Sequence, residues 1–151
     1  MEKFKSIDEI LDFAIRNEEE SNEFYLELAE RAASGAMKKV FEDFAGEELQ
    51  HKAKLQAMKT RGEAFVSSEQ VSDMKLSDYL VEAAPKADMD YQEALIVAMK
   101  KEKAAFKLYS DLAAGVSDHA VQKTLLVLAH EEAKHKLRFE IEYDDHILQD
   151  N

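Results

Sequence analysis

Two stretches decide how this sequence is read: Glu47-Glu48-Leu49-Gln50-His51 and Glu131-Glu132-Ala133-Lys134-His135. Each carries Glu-x-x-His, and the second copy lies 84 residues after the first. The same offset relates much longer segments. In the first half, a seam with steps of three and four runs through Leu11, Ala14, Glu18, Ser21, Tyr25 and Leu28, then Met37, Phe41, Phe44, Glu48, His51 and Leu55. Adding 84 gives Leu95, Ala98, Glu102, Ala105, Tyr109 and Leu112, then Val121, Leu125, Leu128, Glu132, His135 and Phe139, with no gap in register. That pattern predicts two copies of a helical hairpin, about residues 7–60 and 91–144, within a single domain spanning 1–151.

Composition agrees with an all-α chain. Only four glycines and one proline occur in 151 residues, whereas Ala, Leu, Glu and Lys abound. Ser6-Ile7-Asp8-Glu9 has the form of a capping box, which opens a helix expected to run to about Ala33, with a turn at Ser34-Gly35. A second helix is expected over about 36–60, ending at Arg61-Gly62. After a polar stretch with a short helix around Leu76 to Ala83 and a break at Pro85, a third runs from Asp90 to about Ala114. Gly115 to Asp118 turns the chain into a fourth, from about His119 to Ile147. Two tight hairpins joined by a long crossover make a four-helix bundle.

Charge and cysteine content narrow the function. A net charge of −12 disfavours nucleic acid and anionic membranes, both of which are held through clustered Lys and Arg. No segment is apolar enough for a membrane span or a signal peptide, so a soluble, cytoplasmic protein is expected. The chain has no cysteine, which removes disulfides, thiolate catalysis and iron–sulfur clusters, and restricts any metal to oxygen and nitrogen ligands.

The polar residues on the seams carry the chemistry, because those positions face the bundle core. Glu18, Glu48, Glu102 and Glu132 occupy them, with His51 and His135. Glu19, Glu20, Glu47 and Glu131 fall off the seams, where solvation accounts for them. Burying an unpaired carboxylate costs several kcal/mol, so four together would exceed a net stability of about 5–15 kcal/mol. No Lys or Arg lies on the seams, which leaves protonation or bound cations. Two divalent ions would carry four positive charges, and residues three apart on a helix share the face needed to grip them. A Glu from each of two helices plus Glu-x-x-His from each of the other two is the ligand set of ferritin-like di-iron and di-manganese proteins.

The segments AIRNEEESNEFYLELAERA, FEDFAGEELQHKAKL, AMKKEKAAFKLYSDLA and LLVLAHEEAKH resemble the rubrerythrin-like branch of the ferritin-like di-iron carboxylate superfamily. The resemblance covers nearly the whole chain. It implies two iron ions per chain, with manganese compatible with the same ligands: Glu48 and Glu132 bridge, Glu18 and His51 complete one site, and Glu102 and His135 the other. It also implies an oxidoreductase, reducing hydrogen peroxide or dioxygen in an oxidative-stress role. Two departures stand out. Rubrerythrins proper feed electrons from a cysteine-ligated rubredoxin domain, which this cysteine-free sequence lacks, so an external electron-donor protein is expected. They also tend to carry a further glutamate one turn away on the third helix, where Met99, Ala105 and Phe106 stand here.

Tyr25 and Tyr109 lie two turns along their seams from Glu18 and Glu102. Each hydroxyl either hydrogen-bonds a carboxylate of the opposing half, orienting it or supplying a proton as a catalytic group, or is a core hydroxyl that has found a partner. His119, His130 and His146 fall off the repeat and are expected at the surface. Three functions compete at this level: a di-iron peroxidase or oxidase, a non-enzymatic iron-binding or iron-storage protein, and a helical interaction module. A homodimer is the expected assembly.

Overall fold

The computed structural model describes residues 3–4, 6–61, 73–81 and 89–150. Four helices account for most of them: α1 (Ile7–Glu30), α2 (Gly35–Thr60), α3 (Tyr91–Gly115) and α4 (His119–Asp150). Helices α1 and α2 pack as one antiparallel hairpin, α3 and α4 as the other. Among the described residues, no helix is long and apolar enough to cross a membrane.

Each helix starts where a side chain can satisfy a free backbone N–H. The Ser6 hydroxyl accepts from Glu9 N, that of Ser34 from Met37 N, and the Asp90 and Asp118 carboxylates from Glu93 N and Val121 N. The caps also explain where the boundaries differ from the sequence reading. Helix α1 stops at Glu30 rather than Ala33, because Ser34 must be extended to cap α2 and residues 31–33 are consumed in reversing the chain. Gly35 is therefore the first residue of α2, not part of the turn. Arg31 closes α1 and its guanidinium donates to the Met89 carbonyl, tying this corner to the end of the crossover.

In the crossover, the described part of the short helix expected around Leu76 to Ala83 is a 3-10 turn, Leu76–Asp78. Ala83 and Pro85 lie outside the described residues. Tyr79 anchors this turn to α3: its hydroxyl donates to Asp111 at 2.8 Å, and the Lys107 ammonium sits 5.1 Å above its ring. Phe4 N donates to the Met74 carbonyl at 3.2 Å, which holds the N-terminal segment against the crossover.

All the seam residues are buried except Phe44 and Ala105, which are half-buried. They form two apolar clusters with a polar layer between them. One contains Leu11, Leu55, Tyr109, Leu112 and Leu125; the other contains Tyr25, Leu28, Phe41, Leu95 and Phe139. Each fully buried Leu or Phe contributes about 1.5–3 kcal/mol, so the apolar layers can hold a costly polar layer in the dry centre of the bundle.

Candidate metal centre

The polar layer consists of Glu18 from α1, Glu48 and His51 from α2, Glu102 from α3, and Glu132 and His135 from α4, each no more than 2 % exposed. All six residues singled out on the seams therefore converge. His51 Nδ1 lies 2.8 Å from Glu132 Oε1, 3.4 Å from Glu48 Oε1 and 3.6 Å from Glu18 Oε2. In the other half, His135 Nδ1 lies 3.4 Å from Glu48 Oε1 and 3.6 Å from Glu102 Oε1. The two imidazoles are nearly parallel, with centroids 6.3 Å apart.

These approaches are close, yet they do not satisfy the atoms that make them. Glu18 Oε2, Glu48 Oε1, Glu102 Oε2, Glu132 Oε1, the Nδ1 atoms of both histidines and His135 Nε2 have no hydrogen-bond partner. Buried polar atoms are nearly always paired, so this cluster of unpaired oxygens and nitrogens is a site that could hold a metal ion. The ligand atoms form two overlapping groups, Glu18–Glu48–His51–Glu132 and Glu48–Glu102–Glu132–His135, each with its atoms within 4.8 Å of one another. Glu48 and Glu132 belong to both. Four carboxylates and two imidazoles fit a pair of divalent ions with oxygen and nitrogen preferences.

Without such ions, protons must temper the charge. Burial, reinforced by Glu102 and Glu18, pushes the Glu48 carboxyl up to about 8. Glu132 is raised for the same reasons: burial first, then the charges of Glu102, Glu48 and Glu18. Burial alone would lower His51, but Glu18, Glu48 and Glu131 outweigh it and hold the imidazole at about 9. His135 likewise loses to burial and gains more from Glu102 and Glu48, reaching about 10. Protons on these four groups reduce the negative charge of the metal-free layer.

Tyr25 and Tyr109 cap this layer above and below. The Tyr25 hydroxyl donates to Glu102 Oε1 and that of Tyr109 to Glu18 Oε1, each crossing to the opposite hairpin. Burial and the surrounding carboxylates raise both phenols well above their ordinary value, so they stay protonated and act only as donors.

The sequence profile of the rubrerythrin family matches residues 9–143. The chain belongs to the rubrerythrin family. Its fold is shared with a protein from Thermotoga maritima assigned to the ferritin-like diiron-carboxylate proteins, at 25 % identity and a TM-score of 0.78, covering 97 % of this chain and 99 % of that one. It also resembles a hypothetical protein from Pyrococcus furiosus, at 26 % identity and a TM-score of 0.74, over 93 % of this chain and 89 % of that one. No curated protein matches.

Two acids of this rubrerythrin-family chain do more than the sequence reading allowed. Glu47 and Glu131 were expected to need only solvent, but each crosses to the histidine of the other hairpin. Glu131 Oε2 hydrogen-bonds His51 Nε2 at 3.1 Å, and Glu47 Oε2 stands 3.4 Å from His135 Nε2. By donating through Nε2 to Glu131, the His51 imidazole presents the lone pair of Nδ1 to the cluster, the tautomer a metal requires, whereas the Glu47 approach to His135 is not a hydrogen bond. The signal was present: Glu47 and Glu131 are themselves 84 residues apart. Phe44 adds a further restraint, stacking on His135 with centroids 3.9 Å apart. Of the other histidines, His119 and His130 are exposed as expected, whereas His146 is half-buried, its ring 5.2 Å from that of Tyr91.

Proposed function

We propose that this protein is a di-iron oxidoreductase that reduces hydrogen peroxide or dioxygen with electrons from an external donor protein. The observation that carries this reading is the pair of overlapping ligand groups sharing Glu48 and Glu132. Glu48 and Glu132 would span two irons, Glu18 with His51 completing one and Glu102 with His135 the other. When bound, the two irons supply two electrons, which with two protons convert one hydrogen peroxide into two waters.

The remaining residues prepare the site. Tyr25 and Tyr109 fix the carboxylate planes of Glu102 and Glu18 and hold protons beside them. Glu131 fixes the ring and tautomer of His51. Replacing Glu131 with Ala is expected to weaken metal binding by about 10–100-fold, the usual effect of losing an outer-shell partner. A competition titration against a chromophoric chelator measures this; an unchanged affinity would remove Glu131 from the account.

Turnover separates an enzyme from an iron store. The anaerobically reduced protein, mixed with peroxide in a stopped-flow instrument, should oxidise and then return to the reduced state each time a rubredoxin-like donor is added. Because the sequence has no cysteine to bind a relay of its own, turnover should depend steeply on donor concentration. Stoichiometric oxidation with no second turnover, using several donors of suitable potential, would favour iron binding or storage instead.

A further inference from the structure

A cavity of about 150 Å³ opens on the face between α1 and α3. This is the face away from α2 and α4, where the histidines meet Glu47 and Glu131. Glu18 and Glu132 both line the cavity and are almost fully buried, so they form its inner end. Glu18 Oε2 and Glu132 Oε1 are two of the buried oxygens without a hydrogen-bond partner. The space therefore ends at two cluster acids, whose unpaired oxygens lie buried directly behind it.

Small side chains keep it open. Ser21 follows Glu18 by three residues and Ala105 follows Glu102 by three, so each stands one turn from a cluster acid on the same helix face. Both line the cavity, and a larger side chain at either place would project into it. Toward solvent, Lys101 supplies a positive charge among the lining residues, and Tyr79 fixes the wall contributed by the crossover through its bonds to α3.

We propose that this cavity is the route by which the oxidant reaches the cluster, and that Ser21 and Ala105 limit it to small inorganic molecules. The inference rests on the di-iron reading above and adds to it the route of entry and its size limit. About 150 Å³ is the space that accommodates a single benzene ring, below the roughly 300–1,000 Å³ of sites for larger ligands. Hydrogen peroxide, dioxygen and azide pass. Cumene hydroperoxide, whose peroxide group is carried on a branched carbon bearing an aromatic ring, does not bring its O–O bond to the inner end.

Ala105→Leu tests this directly, and Ser21→Val plugs the cavity from the opposite wall, so that the result does not hang on the folding of one variant. Iron content and circular dichroism should match those of the parent protein. Azide titration of the oxidised protein, followed by absorbance, should show affinity reduced by about tenfold or more in each variant, as expected when a bulky side chain occupies a ligand's space. Peroxide oxidation of the reduced variants should slow in parallel, and the parent protein should react far more slowly with cumene hydroperoxide than with hydrogen peroxide. Iron-loaded variants with parental azide affinity and peroxide rates would overturn the route while leaving the di-iron function standing. A parent protein that reacted equally fast with both peroxides would overturn the size limit. A parent protein that took up no iron would overturn the di-iron function and the route together.

Discussion

Stripping metal from the protein should lower its melting temperature at neutral pH by about 10 °C. Linkage sets the size of the drop: a ligand present at a thousand times its dissociation constant stabilises the folded state by about 4 kcal/mol, and each kcal/mol is worth about 2–4 °C in a chain of this size. The metal-free protein should also respond to pH in one direction. Glu48 and Glu132 have folded-state values raised above the ordinary carboxyl value, Glu48 to about 8. The folded state thus holds more protons than the unfolded one from mild acid upward, and stability falls as pH rises through that window. His51 and His135, raised to about 9 and 10, act in the same sense: their stabilisation is full below the unfolded value of 6.5 and is lost as pH climbs through the folded ones. Differential scanning calorimetry of the chelated protein should therefore give a higher melting temperature near pH 5 than near pH 8. A metal-free protein that became steadily more stable over that range would contradict the account.

Replacing Glu132 or Glu48 should cost the protein both metals, because each belongs to the two ligand groups at once. Glu132→Ala is expected to fall from about two ions per chain to nearly none, whereas Glu18→Ala, which affects one group, should retain about one. Elemental analysis of folded variants after gel filtration checks this. The asymmetry between the two substitutions is the informative quantity. If Glu132→Ala still held two metals, Glu132 would not be a bridge.

The centre was legible from sequence because helix periodicity and the 84-residue offset act together. A glutamate on an apolar seam has nowhere to point but inward, and repetition separates Glu18, Glu48, Glu102 and Glu132 from the many acids that merely face water. Cross-bundle partnerships were harder to read. Tyr25 and Tyr109 could be assigned to the core, but which carboxylate each would meet depends on how the hairpins face one another. Glu47 and Glu131 sit off the seam; their reach to the opposite histidine depends on the rotation and separation of α2 and α4, which a linear pattern does not encode. The end of α1 moved because a cap at Ser34 competes with helix propagation through Ala32 and Ala33, both good helix residues. The cavity beside Ser21 and Ala105 is a property of side chains that are small, and becomes visible only once the surrounding walls are in place.

A coupled pair of irons in the polar layer of one chain would carry its own spectroscopic signature. Mössbauer spectroscopy combined with iron analysis tests for it most directly, on protein reconstituted anaerobically with ferrous iron and then oxidised with one equivalent of hydrogen peroxide. About two irons per chain are expected, all oxidised together and giving the signal of a magnetically coupled ferric pair. A folded chain that retained a single iron, or two irons with the signature of isolated ions, would contradict the di-iron function.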